Sequence, residues 1–255
     1  MGKIIAVAQH KGGTGKTTTS INIGASLCAL GKTVLLIDLD PQASLTLSLG
    51  IDPLEVEKSI HHILIDANVG IKDAMQKGPI PNLFVVPSHI DLAMVDLELA
   101  GKIGREKTLH RKLALVKEDF DFIFIDCPPT LGILTVNALT AADSVLMPIQ
   151  CEPLTLYGAK HLLQIIGLVR EETNANLKIE GVLRTMYDSR AKVSKEVCES
   201  IEQTFGDIVF ETIIRKRIKF AEGPIHETPI NKYAPRSPGA EEYRNLAKEI
   251  LDREV

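Results

Sequence analysis

An apolar run from Ile4 to Ala8 leads into His10-Lys11-Gly12-Gly13-Thr14-Gly15-Lys16-Thr17-Thr18. The glycine-rich turn then leads into a helical pattern with apolar positions Ile21, Ile23, Ala25, Leu27 and Leu30. Strand, glycine turn and helix in direct succession give a site for phosphate. Glycines let backbone N–H groups turn inward, and the helix N-terminus adds the positive end of its dipole. Within that loop Lys16 is placed to reach the β- and γ-phosphates of a nucleotide, and the Thr17 hydroxyl to reach Mg²⁺. The usual pattern has glycine five residues before Gly15, where this chain has His10, and it carries an extra lysine, Lys11, at the mouth of the loop.

Two further apolar runs end in acids. Val34-Leu35-Leu36-Ile37 runs into Asp38-Leu39-Asp40-Pro41-Gln42, and Phe122-Ile123-Phe124-Ile125 into Asp126-Cys127-Pro128-Pro129. A buried strand ending in Asp126 delivers a carboxylate to a magnesium shell. Around these segments, short β-rich runs alternate with longer helical patterns, which is the signature of βαβ units. Strands are predicted at 3–8, 33–38, 83–87, 122–126, 144–149 and 179–186. Helices are predicted at 16–30, 92–100, 107–117, 155–172, 194–205 and 240–253. The expected fold is α/β: a doubly wound, mostly parallel sheet with helices on both faces, whose carboxyl edge binds the ligand. No repeat or Gly/Ser linker interrupts the pattern, so a single domain over 1–255 is expected. Residues 50–82, with Pro53, Gly70, Gly78, Pro79 and Pro81 among them, read as a surface excursion, and 223–239 as a loop-rich tail.

Composition excludes other classes. A net charge of −4 and 45% hydrophobic residues argue against a disordered chain and against a globally basic nucleic-acid protein. No apolar run approaches the roughly 18 residues of a membrane span. The N-terminus lacks the layout of a signal peptide, so a cytoplasmic location is expected. Cys28, Cys127, Cys151 and Cys198 form neither a Cys-x-x-Cys pair nor a zinc spacing, and each reads as a small buried hydrophobe.

With its extra lysine, Lys11-Gly12-Gly13-Thr14-Gly15-Lys16-Thr17-Thr18 resembles the deviant Walker A motif of the ParA/MinD group of P-loop ATPases. The Asp38–Asp40 and Asp126 segments resemble that group's second motif and its Walker B motif, in the expected order. The resemblance implies a P-loop NTPase fold with ATP and Mg²⁺ as cofactors. It implies that residues 11–18 and Asp38 bind nucleotide, that Thr17 and Asp126 serve the metal, and that Lys11, Lys16 and Asp40 are catalytic. Asp40 would position the attacking water, and Lys11 would cross a dimer interface to the partner's nucleotide.

Within the group, the stretches 185–190, 220–224 and 233–240 are similar to the ParA/Soj branch, which partitions chromosomes and plasmids. Where relatives often carry Pro-Arg-Asn against the adenine, this chain has Arg215-Lys216-Arg217, and the resemblance implies that Arg215 and Arg217 lie on the base side of the nucleotide. The run Arg215-Lys216-Arg217-Ile218-Lys219 concentrates four cations in an acidic chain, and Arg190, Lys192 and Lys195 form a second cluster. Combined with the ATPase motifs, Arg190, Lys216, Arg217 and Lys219 point to DNA binding without sequence preference. The resemblance implies an ATP-dependent homodimer, associated with the nucleoid, whose slow hydrolysis is stimulated by a ParB-like centromere-binding partner. Two alternatives remain at this point, a MinD-like ATPase cycling on a membrane and the same engine positioning a protein cargo. The membrane reading is disfavoured by the last helix, which has a net acidic polar face and an apolar stripe (Tyr243, Leu246, Ala247, Ile250, Leu251) suited to packing on the domain. A nitrogenase-like reductase is disfavoured because the cysteines lack the placement for a shared cluster.

Overall fold

The computed structural model describes residues 2–153 and 155–253. Among these residues eight strands form one sheet: β1 (Lys3–Val7), β2 (Val34–Asp38), β3 (Gln76–Lys77), β4 (Leu83–Val86), β5 (Phe122–Asp126), β6 (Ser144–Gln150), β7 (Lys178–Tyr187) and β8 (Val209–Arg215). Their spatial order is β3-β4-β2-β5-β1-β6-β7-β8, and every pairing is parallel except the short β3–β4 edge. The described residues also form twelve α-helices, the last three of them after β8: α1 (Lys16–Ala29), α2 (Ser44–Ser48), α3 (Ile60–Ile65), α4 (Ile71–Ala74), α5 (Val95–Glu98), α6 (Thr108–Leu113), α7 (Ile133–Ala141), α8 (Thr155–Glu172), α9 (Lys192–Phe205), α10 (Ile218–His226), α11 (Ile230–Tyr233) and α12 (Pro238–Asp252).

The central strands are apolar without interruption because both of their faces are covered. Side chains alternate between two cores, as the two-residue period of a strand requires. Ile4, Ala6, Ile123 and Ile125 face one core, whereas Ile5, Val7, Phe122 and Phe124 face the other. The second core also takes Ile21, Ile23 and Leu27 of α1 and Tyr243, Leu246, Ala247 and Ile250 of α12. The stripe on the last helix is therefore packed on the protein body. All four cysteines are buried. No helix among the described residues is long and apolar enough to cross a membrane.

The doubly wound sheet matches the expectation, but several elements do not. Residues 50–82 are not merely a surface excursion: α3 buries Ile60, Ile63 and Leu64 in the first core. Its six residues are too few to show a helical period. The expected helix at 92–100 is a 3₁₀ turn, Ile90–Met94, followed by the single turn α5. The 107–117 helix shortens to α6 between two 3₁₀ turns. The tail at 223–239 contains the end of α10, with Pro224 inside it, and α11. Helix α7 and strands β3 and β8 were not expected. Of these, α7 is apolar around most of its circumference and buried, so it lacks an amphipathic signal.

Candidate active site

Strand β1 lies between β5 and β6, and its carboxyl end opens at the edge where ligands bind in such sheets. The loop that follows turns through Gly13 and Gly15, at φ +70° and +86°, in the left-handed region that favours glycine. Gly15 caps α1 without a side-chain bond, and no acid lies in the first turn. The first N–H groups of a helix have no intrahelical acceptor, so this end is prepared for an anion. Neighbouring strands hold the loop from behind. The Thr185 hydroxyl donates to the Thr14 carbonyl at 2.9 Å, and the Gln150 amide donates to the carbonyl of Gly13. Lys16 is 7% exposed, with Nζ 3.5 Å from the Lys11 carbonyl oxygen. Burial lowers its pKa, while the charges of Asp126 and Asp40 oppose that shift. Thr14 Oγ1 and Gln9 Nε2 are buried without a hydrogen-bond partner among the described residues, so the loop retains hydrogen-bonding capacity.

Asp38 and Asp126 are paired neighbours in the β2–β5 register, and both are buried. Asp126 accepts hydrogen bonds from Thr17 Oγ1 at 2.7 Å and Ser20 Oγ at 3.2 Å. Its pKa is pushed up to about 8, by burial first and by the Asp38 charge second. Asp38 is pushed up to about 6, again mainly by burial. Two adjacent carboxylates with raised pKa values favour a cation beside them. The donor set fits Mg²⁺: hard oxygens from a hydroxyl and a carboxylate, next to a loop built for phosphate.

Asp38 uses both of its oxygens within the protein. One accepts from the backbone N–H of Asp40 at 3.2 Å, and the other from Thr46, through N–H at 2.8 Å and hydroxyl at 2.6 Å. It therefore anchors the turn that carries Asp40. Asp40 itself is half-buried and accepts from the Gln42 N–H at 3.0 Å, while its carbonyl accepts from the Ser88 hydroxyl. Lys11 folds back over its own loop, with Nζ 2.7 Å from Gln150 Oε1 and 3.5 Å from Glu152 Oε2.

Beside Gly15 and Thr18 lies a pocket of about 280 Å³, walled by Met186, Ile214, Phe220 and Tyr243 and by the Arg215-Lys216-Arg217 turn. Arg215 and Arg217 both bind the buried Glu242 carboxylate, at 3.1 and 2.6 Å. Strand β8 pairs with β7 at Tyr187↔Arg215, which brings the Asp188–Arg190 turn next to the basic run. Arg190 is exposed and bound through Nε and Nη2 to Asp188, both at 3.0 Å; Lys219 is bound to Glu222 at 2.8 Å, and Lys216 is exposed. Of the four residues expected to touch DNA, Arg190 and Lys216 thus lie at the neighbouring ends of β7 and β8, Lys219 lies in the first turn of α10, and Arg217 is turned inward.

Sequence reasoning missed Ser20, Thr46, Gln150, Thr185 and Glu242. A signal existed for Ser20, which is three residues beyond Thr17 on the same helix face. Gln150 also had one, because it ends an apolar strand as Asp38 and Asp126 do. Nothing local marks Thr46, which bonds Asp38 across the turn after β2, or Glu242, whose partners lie 25 and 27 residues away.

A strand, an anion-binding glycine loop and a helix, with a lysine and a threonine facing strand-end aspartates, define the P-loop nucleoside triphosphatase fold. Residues 2–179 match a family model described as an AAA domain. The chain is 48% identical over 250 residues to the sporulation initiation inhibitor protein Soj of Bacillus subtilis (strain 168), with 98% of each chain covered. It is 42% identical over 254 residues to the chromosome-partitioning ATPase Soj of Treponema pallidum (strain Nichols), covering 100% of this chain and 99% of that one. Among solved structures, cobyrinic acid a,c-diamide synthase from Mycobacterium smegmatis with bound ATP analog and magnesium is similar at TM-score 0.88 and 38% identity, covering 100% of this chain and 96% of that one. The chain belongs to the ParA/Soj family of P-loop ATPases.

Proposed function

We propose that this protein is a chromosome- or plasmid-partitioning ATPase, a single domain over residues 1–255 that binds Mg·ATP, dimerises and then holds DNA without sequence preference. The observation that carries this reading is the meeting of Thr17 with Asp126 at 2.7 Å behind the glycine loop, in a chain 48% identical to Soj. Residues 11–18 hold the phosphates, with Lys16 neutralising their charge, and Asp38 braces the neighbouring turn. Thr17 and Asp126 would hold Mg²⁺, which supplies further neutralisation of the phosphate charge. Asp40 positions water for attack on the γ-phosphate, and Lys11 leaves Gln150 and Glu152 to reach across the dimer. Phosphoryl transfer of this kind depends on positioning and charge neutralisation, so turnover stays slow until the dimer and a ParB-like partner complete the site. Hydrolysis then releases the dimer from the nucleoid. The neighbouring ends of β7 and β8, with Arg190 and Lys216 exposed beside them and Lys219 exposed in the first turn of α10, support the DNA surface.

The test is DNA retardation in ATP and in ADP beside ATPase rates with and without DNA and partner. Retardation in ATP alone, with rates raised by DNA and partner together, is expected. The similarity to cobyrinic acid a,c-diamide synthase of M. smegmatis favours a second reading, ATP-dependent amide formation on a carboxylic acid. Turnover indifferent to both DNA and partner would select that reading.

A further inference from the structure

The pocket beside the loop depends on a residue outside the motifs. Glu242 lies in the first half of α12, and its side chain is 9% exposed. One of its oxygens accepts from Arg215 Nη1 at 3.1 Å and from Arg217 Nη2 at 2.6 Å. The other accepts from the Arg215 backbone N–H at 3.2 Å and lies 3.5 Å from Arg217 Nε. Two guanidinium groups thus converge on one carboxylate at the wall of the pocket. The next residue, Tyr243, lines that pocket, and its hydroxyl lies 3.2 Å from Thr19 Oγ1 of α1. Helix α12 therefore supplies both an aromatic wall and the anchor behind the arginines. The helix is held in place by its Ser237 cap, whose hydroxyl accepts from the Ala240 N–H, and by its buried stripe.

We propose that Glu242 is the positioning residue of the nucleobase pocket: it clamps Arg215 and Arg217 into the wall, so that recognition of the base, and not of the phosphates, depends on it. The inference rests on the reading of this protein as an ATP-binding enzyme. Its physical basis is repulsion between like charges. Without the carboxylate, Arg215 and Arg217 face one another beside Lys216, and the turn opens to separate them. Removing the buried carboxylate leaves the partly buried Arg217 and the more exposed Arg215 uncompensated side by side, which is why the wall should move rather than merely weaken. The phosphate loop is held separately, by Thr185 and Gln150, and should not respond.

The experiment compares Mg·ATP with Mg·inorganic triphosphate, which has no base, by calorimetric titration of wild type and E242Q. Loss of charge-assisted hydrogen bonds predicts that E242Q raises the Kd for ATP about tenfold. Its Kd for triphosphate should stay within twofold, and the KM for ATP should rise while kcat is retained. In the R215A/R217A background, adding E242Q should change ATP affinity less than twofold, because nothing is left to clamp. Equal weakening for both ligands, unchanged ATP affinity, or the full loss in the double background would overturn the clamp. Should E242Q fail to fold, R215A/R217A/E242Q removes the buried acid together with both cations and takes its place in the titration. Weakening confined to ATP would then support the clamp, and equal weakening for both ligands would overturn it. Wild-type protein that bound neither ligand would instead remove the ATP reading on which the clamp rests.

Discussion

Reversing the charge of Lys219 is the most informative single change, because the structure separates the cations of the basic run into two kinds. Arg215 and Arg217, 50% and 26% exposed, share a carboxylate that is itself only 9% exposed, so the two are distinguished from Lys219 by their buried partner and not by their own exposure. Lys219 is 53% exposed and paired with Glu222 on the surface. Such a pair is worth at most about 1 kcal/mol and yields readily to a DNA phosphate. Arg190 and Lys216 are exposed as well. Three cations per subunit give about six contacts per dimer, and at about 0.9 each the slope of log K against log salt is near −5. Affinity should therefore fall roughly a thousandfold between about 50 and 200 mM salt. Lys219→Glu removes one contact from each subunit and should bring the slope to about −3.6, a fall of roughly a hundredfold over the same range. DNA retardation across that salt series, in saturating ATP and on two unrelated sequences, measures it. Arg217→Gln serves as the control, expected to keep the wild-type slope. A slope that Lys219→Glu left unchanged while Arg217→Gln made it shallower would refute the division of the cations, and equal slopes in ATP and ADP would refute the dimer as the DNA-binding species.

Three further outcomes follow from the site. Lys16→Ala should abolish dimerisation in Mg·ATP, measured by light scattering, because no other buried cation lies beside the phosphate loop among the described residues. Asp40→Ala should still bind ATP but remain dimeric and on DNA, whereas Lys11→Ala should bind ATP and stay monomeric; equal loss of nucleotide affinity in both would show the roles misassigned. In metal-free protein, Asp126 has a folded pKa of about 8 against an ordinary value near 4. Ionisation is thus harder in the folded state, and stability that is present below pH 4 is lost as pH rises towards 8. Thermal melting in EDTA should give a lower Tm at pH 8 than at pH 6, and Asp126→Asn should flatten that dependence. A difference between wild type and variant that ignored pH would count against it.

Much of the phosphate half of the site was legible in the chain, for a local reason. Residues 10–18 are consecutive, and their turn, their glycines and the helix they start are set by backbone sterics over a few residues. The central strands were equally legible, because burial on both faces demands unbroken apolar runs such as Phe122–Ile125. Even so, β8 was not legible, since its Glu211 and Thr212 break the apolar run at the sheet edge. Helix α3 was hidden because one and a half turns carry too few residues to display a period.

What the sequence by itself determined was the order of the motifs: the glycine loop, the acids that end two strands, and the alternation that makes a parallel sheet. Only the tertiary structure decided who meets whom. Asp38 and Asp126 are 88 positions apart, yet become register neighbours because β2 and β5 pair side by side. The basic run reads as one patch along the chain, but folding divides it: Glu242 arrives from α12 to bind Arg215 and Arg217, drawing Arg217 inward, while Lys216 and Lys219 lie outside that cluster. A charge in a sequence has no partner until the backbone is closed, and buried carboxylates, through low local dielectric and scarce water, decide which cations they keep.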